Sequence, residues 1–215
     1  MEITPIYATN SEFATHRHEA LNVTIPTRAL NPYADQHEAD DIELIARRWV
    51  EKVVIGLNLC PFAKAVHAKK QIRYVVTKAV QPNDLLAEIE RQIGVLIDAD
   101  PLRLDTILLI HPLAMLDFLD YHFFVGEADA ALKRLEAKGI LQIAGFHPDY
   151  CFAGNEPDDM ANYTNRSPHP MLHLLRESSV ERAVAAFPDA AVIFERNKET
   201  LRSIGPEGLR RLTIE

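Results

Sequence analysis

Two histidines stand in matching places: LLIHP (108–112) and AGFHP (144–148) each run from apolar residues into a His-Pro pair. The proline after each histidine biases it toward extended backbone and ends the strand. If both runs are strands of one parallel sheet, His111 and His147 lie past its carboxyl edge. Open α/β sheets gather loops and ligands there. Two imidazoles aimed into one crevice could serve as acid and base or as ligands to a metal. Either ring could equally be structural, bonding a neighbouring carbonyl.

Asp149 lies two residues beyond His147, so both side chains share a side in extended backbone. A carboxylate there can orient an imidazole for proton transfer or share a divalent metal with it. His169 and His173 are four apart in HPMLH. On a helix that spacing suits zinc, but Pro170 at the first helical position leaves His173 as the better ligand. His111, His147, Asp149 and His173 are thus the metal-ligand set to test. Such donors suit Zn, Fe or Mn, with a bound water as nucleophile and hydrolysis as the default reaction.

NYTNRSP (162–168) collects Asn162, Asn165, Arg166 and Ser167 before an expected helix start. Free N–H groups, a positive helix end and a guanidinium form an anion site. The alternative is a self-satisfying loop, in which Asn, Thr and Ser cap backbone groups and Arg166 pairs with Asp158 or Asp159. Glu156, Asp158 and Asp159 read as a solvated turn. Cys60, before Pro61, is a nucleophile if it caps a helix and a packing residue if it does not.

The elements that must position these groups follow from periodicity. Apolar residues recur at helical spacing from Ile42 to Leu57, and a short second helix starts near Pro61. IRYVVT (72–77), TILLI (106–110) and ILQIAGF (140–146) read as strands. Helices are expected from Pro82, over 113–137 with a break near Val125-Gly126, and over 170–177, 179–187 and 195–204. The alternation predicts an α/β fold: a small, mainly parallel sheet of three core strands flanked by helices, with a C-terminal helical segment. A fourth strand could come from the N-terminal arm, from YCF (150–152) or from AAVIF (190–194). Residues 1–38 read as an irregular arm, and residues 39–215 as one α/β domain.

The 215 residues carry a formal net charge of −8. That balance argues against a nucleic-acid partner and leaves room for a local anion site. No apolar run approaches a membrane span, and no secretory leader is visible. With two cysteines far apart, the chain reads as cytoplasmic with free thiols.

The motifs WVEKVVIGLNLCPFA, LLIHP with DFLDY, QIAGFHPDYCFAG, NYTNRSPHPMLHLLRE and ERNKETLR resemble an uncharacterised bacterial family, the domain of unknown function 1415 family. The resemblance spans residues 41–205 and implies no activity. Cys60, His111, His147, Asp149, Asn162, Asn165, Arg166, Ser167, His173 and Arg176 fall on its motifs. His169 departs from the pattern, where a tyrosine is usual. That departure further weakens a zinc pair formed with His173.

The residues together favour an enzyme for a small anionic metabolite, with Asn162, Asn165, Arg166, Ser167 and Arg176 holding the substrate. A non-catalytic binding module is the alternative, and a Cys60-dependent redox protein the weaker one.

Overall fold

A computed structural model describes residues 39–186 and 190–214. The N-terminal arm lies outside the described residues. Helix α1 (Ala39–Trp49) continues into a π-helical turn (Val50–Ile55). Then follow α2 (Ala63–Ala68), β1 (Ile72–Val76), α3 (Pro82–Asp98), β2 (Thr106–Ile110), α4 (Phe118–Arg134) and β3 (Leu141–Phe146). After a long loop with one 3-10 turn (Met160–Thr164) come β4 (Met171–Arg176), α5 (Glu177–Ala186) and α6 (Ala190–Ile214).

The α/β class holds, with a four-stranded sheet flanked by helices and a C-terminal helix. The pairing departs from the expected mainly parallel sheet. Strand order is β1-β2-β4-β3, and β4 runs antiparallel to both neighbours. Only β1 and β2 pair in parallel. Most of the segment 170–177, expected as a helix, forms this fourth strand (Met171–Arg176), while YCF is irregular and AAVIF opens α6. Met, Leu and Arg favour helix in isolation, yet two strands with unpaired edges recruit this segment. Helix α4 continues through Val125-Gly126 without the expected break. Gly205, at φ 64, kinks α6 and the helix resumes beyond Pro206.

Alternation along the strands divides the core into two layers. Ile107, Leu109, Leu172 and Leu174 meet Leu85, Ile89 and Ile93 of α3 and Phe124 and Ala128 of α4. Leu108, Ile110, Phe146 and Met171 meet Ile42, Ala46, Trp49 and Val53, with Leu201 and Leu209 of α6. β2 is buried throughout, as a continuous apolar run requires. Because β2 and β3 both run antiparallel to β4, they point the same way. Their carboxyl ends therefore meet the start of β4 at one edge, where the long loop (147–170) returns.

Candidate functional site

His111 follows the last residue of β2 and is fully buried. Its backbone N–H donates to Pro170 O at 3.0 Å, tying it to the start of β4. Nδ1 lies 2.9 Å from Ala114 O. A carbonyl can only accept, so Nδ1 carries the proton in the neutral ring. Nε2 is then a bare lone pair, enclosed and without a hydrogen-bond partner. Burial pushes the pKa down to about 4, against the raising effect of the Ala114 carbonyl; His147 lowers it further.

His147 follows β3 and takes the opposite tautomer. The Asp149 backbone N–H donates to Nδ1 at 3.0 Å, so Nε2 bears the proton, which it donates to Met115 O at 3.2 Å. Burial again lowers its pKa to about 4, opposed by that carbonyl and by the Asp117 charge. Tyr121 touches both rings. It stacks on His111 at 5.8 Å and tilts against His147 at 5.0 Å. Its hydroxyl donates to Met171 O at 2.8 Å. Gly145 lies directly beneath this hydroxyl: a Cβ there would come within 2.5 Å of it.

The rim is charged. Asp149 is half-buried, and desolvation raises its pKa although the Arg166 cation opposes this. Asp117 caps α4, accepting the N–H groups of Leu119 and Asp120. Between His111 and Asp117 the chain passes through Met115 at φ 53, a left-handed conformation that costs energy for a side chain of this kind. A hollow of about 210 Å³ between α4 and β3 has Tyr121, Gly145 and Tyr150 in its wall.

The loop's amide cluster is self-satisfying. Asn162 is fully buried; its Oδ1 accepts from Phe152 N–H and Asn155 Nδ2, and its Nδ2 donates to Glu156 O. Asn165 Nδ2 donates to Gly145 O, and Ser167 Oγ to His169 O. Arg166 donates from Nε to Tyr150 O and from Nη2 to Pro157 O, with its guanidinium over the Tyr163 ring. These side chains shape the loop around His147. Arg166 Nη1 has no hydrogen-bond partner among the described residues.

Several expected partners lie elsewhere. Antiparallel β4 carries Arg176 to the far end of the sheet. There its buried guanidinium donates to the carbonyls of Leu96, in the last turn of α3, and of Ala99 and Leu104 in the loop that follows. His173 is in mid-strand and shares the sheet face of Phe146, away from Tyr121. Thr106 Oγ1 gives its proton to Leu174 O, so His173 Nε2–H donates to that oxygen at 2.6 Å. With His169 and His173 outside any helix, the i,i+4 zinc geometry does not arise. Cys60 is buried in the second core layer among Leu59 and Trp49, and neither cysteine is in a disulfide.

The four-residue metal set therefore does not converge. His173 lies across the sheet, and three of the four ring nitrogens of His111 and His147 are hydrogen-bonded to main chain. Among the described residues no group of three or more His, Cys, Asp or Glu is arranged to hold a metal ion. Tyr121, Met115 and Asp117 were missed in reading the motifs for chemistry, although DFLDY (117–121) contains two of them.

No described helix is long and apolar enough to cross a membrane. No curated protein and no solved structure matches the chain. A family model described as protein of unknown function (DUF1415) matches residues 41–211, from α1 almost to the end of α6. The two His-Pro turns, the loop that joins them and the sheet that aims them all fall inside that span, and the chain belongs to this family.

Proposed function

We propose that the chain is an enzyme that acts on a small anionic metabolite by acid–base chemistry, with His111 as the base. One observation carries this reading: the enclosed, unpartnered Nε2 of His111. A buried acceptor left unpaired costs about 1–3 kcal/mol. Such exceptions call for an explanation, and a catalytic role is one. The Ala114 carbonyl fixes the tautomer that leaves Nε2 bare and favours the imidazolium once Nε2 takes a proton. An anion beside the ring would raise its pKa from about 4, so the base strengthens as substrate arrives.

His147 is a positioning residue in this scheme. Its Nε2–H holds the Met115 carbonyl, and thereby the strained turn that follows His111. Catalysis requires the enclosed Nε2 of His111 to become accessible to substrate, and that opening is assigned to this turn. The remaining Nη1 donors of Arg166 supply positive charge for the substrate, beside Asp149. The bare imidazole can take a proton from the substrate or from a water that attacks it. Among the described residues no donor arrangement supports a metal-assisted route.

The test is turnover, followed by NMR, of a panel of carboxylate and phosphate metabolites by the wild-type protein and His111→Gln. General-base loss predicts a fall of about 10²–10⁴-fold in kcat. Equal turnover by both proteins would sink the reading.

A non-catalytic, protein-binding reading also has a specific observation behind it. Leu113, Leu116, Leu119 and Phe123, at 53%, 57%, 62% and 75% exposure, line one region of the turn and α4. Saturable binding without turnover of any panel member would favour it.

A further inference from the structure

At the opposite end of the sheet from His111, α1, the start of β1 and the loop after α3 enclose an open hollow of about 590 Å³. Arg47, Lys70, Arg73 and Arg103 line it, against Glu43 and Asp100. Glu43 is paired with Arg47 at 2.8 Å, and Asp100 accepts the Leu102 backbone N–H. Lys70, Arg73 and Arg103 form no ion pair among the described residues. A chain of net charge −8 thus collects an excess of cations at one place.

Tyr74 supplies the second, independent observation. It lines the hollow, is only 7% exposed, and its hydroxyl has no hydrogen-bond partner. The Arg47 guanidinium lies 4.1 Å above its ring. Burial pushes the phenol up to about 12, against the Arg47 charge and with the Glu51 and Glu43 charges adding to the rise, so the hydroxyl stays protonated and can donate. A neutral buried donor beneath the Arg47 guanidinium lacks an acceptor, and an anion would provide one.

The wall is fixed in place. Gln71 Nε2 donates to Pro101 O and Leu102 O, and Arg176 holds the carbonyls of Ala99 and Leu104 from below. Preorganised walls lower the cost of ordering on binding.

We propose that this hollow binds a small phosphate-bearing anion, with Arg73, Arg103 and Lys70 around it and Tyr74 donating from its floor. Donors converging from several elements suit a tetrahedral oxyanion, which accepts on all sides, and arginine forks match it. The overall negative charge disfavours a nucleic-acid strand here. The site stands independently of the His111 reading.

Titration of the full chain with inorganic pyrophosphate, by calorimetry and by thermal shift, tests the assignment. Saturable binding that weakens with salt is expected, falling at least tenfold in Arg73→Ala and in Arg103→Ala. Tyr74→Phe removes a hydroxyl without a partner, so its melting temperature alone is expected to equal or exceed that of wild type. Its pyrophosphate affinity should nevertheless fall several-fold. His111→Gln should bind as wild type does. Absence of saturable binding at millimolar pyrophosphate, or wild-type affinity in the two arginine variants, would overturn the proposal. Tighter binding of a single-stranded oligonucleotide than of pyrophosphate would overturn the small-anion assignment.

Discussion

The backbone N–H of Asp149 donates to Nδ1 of His147 at 3.0 Å. The two residues that the His-x-Asp spacing pairs as a catalytic couple are therefore joined through the main chain. The imidazole is oriented by position 149 whatever its side chain, and the carboxylate remains free to face Arg166. His147 thus becomes a latch on the Met115 turn, while His111 alone retains a bare nitrogen beside Tyr121.

Stability should depend on pH through the buried imidazoles. His111, His147 and His173 are each lowered to about 4 in the folded chain, mainly by burial. In the unfolded chain a histidine titrates near 6.5. Between these values the unfolded state binds more protons, so stability is full above about pH 6.5 and falls as pH drops toward 4. The effect is up to about 3 kcal/mol per histidine at 1.36 kcal/mol per pKa unit. Asp149 and Asp129, both raised by burial, offset part of it at the acid end. Urea unfolding at pH 7.5, 5.5 and 4.5 should show a progressive loss. A flat profile would mean the rings are solvated.

Gly145→Ala should be destabilising although the position lies in a regular strand. The new Cβ would sit 2.5 Å from the Tyr121 hydroxyl, which donates to Met171 O. Overpacking of this kind costs about 1–3 kcal/mol. Because Tyr121 packs on both imidazoles, its displacement should also shift the ring resonances of His111 and His147. An NMR spectrum with those resonances unmoved would contradict the packing described.

Asn162→Ala should loosen the loop. The side chain joins Phe152, Asn155 and Glu156 while fully buried, and its loss leaves several polar groups unpaired. A cost of about 3 kcal/mol is expected. Hydrogen exchange should accelerate at residues 152–157 before it does in β2. Uniform acceleration across the domain would argue against a local role.

Arg176→Met should separate stability from activity. It leaves the carbonyls of Leu96, Ala99 and Leu104 without their donor, at a cost of about 3 kcal/mol. It lies at the far end of β4 from His111. Turnover per folded molecule is therefore expected to remain at the wild-type level, as measured well below the melting temperature. A fall in kcat would return Arg176 to the substrate site.

The edge on which the histidines sit was legible because β2 and β3 do point the same way. TILLI and ILQIAGF announce themselves by β-branched residues and flanking His-Pro turns. The segment MLHLLR did not, because its residues favour helix locally and only the vacancy between β2 and β3 makes it a strand. That one misassignment carried His173 and Arg176 into the expected site. Reversal of β4 places Arg176 a strand length away, and alternation turns His173 to the other face. A self-satisfying loop is one of the two readings of Asn162, Asn165 and Arg166, but Arg166 meets the carbonyls of Tyr150 and Pro157 in place of the expected Asp158 or Asp159. Spacing says nothing about which backbone carbonyls a folded loop brings within reach. Tyr121 was hidden because an aromatic at helical spacing reads as core, and it is indeed buried there. The hollow around Tyr74 draws on α1, β1 and the loop after α3, so no contiguous motif marks it.

The central claim is that His111 is a neutral Nδ1–H imidazole with a bare Nε2 available to take a proton. Long-range ¹H–¹⁵N correlation of the histidine rings, with His111→Gln for assignment, tests it most directly. At pH 7 the account predicts a protonated-type Nδ1 and an unprotonated-type Nε2 for His111, the reverse for His147, and no change for either until the pH falls below about 5. A proton on Nε2 of His111 at pH 7, or titration of that ring near 6.5, would contradict it.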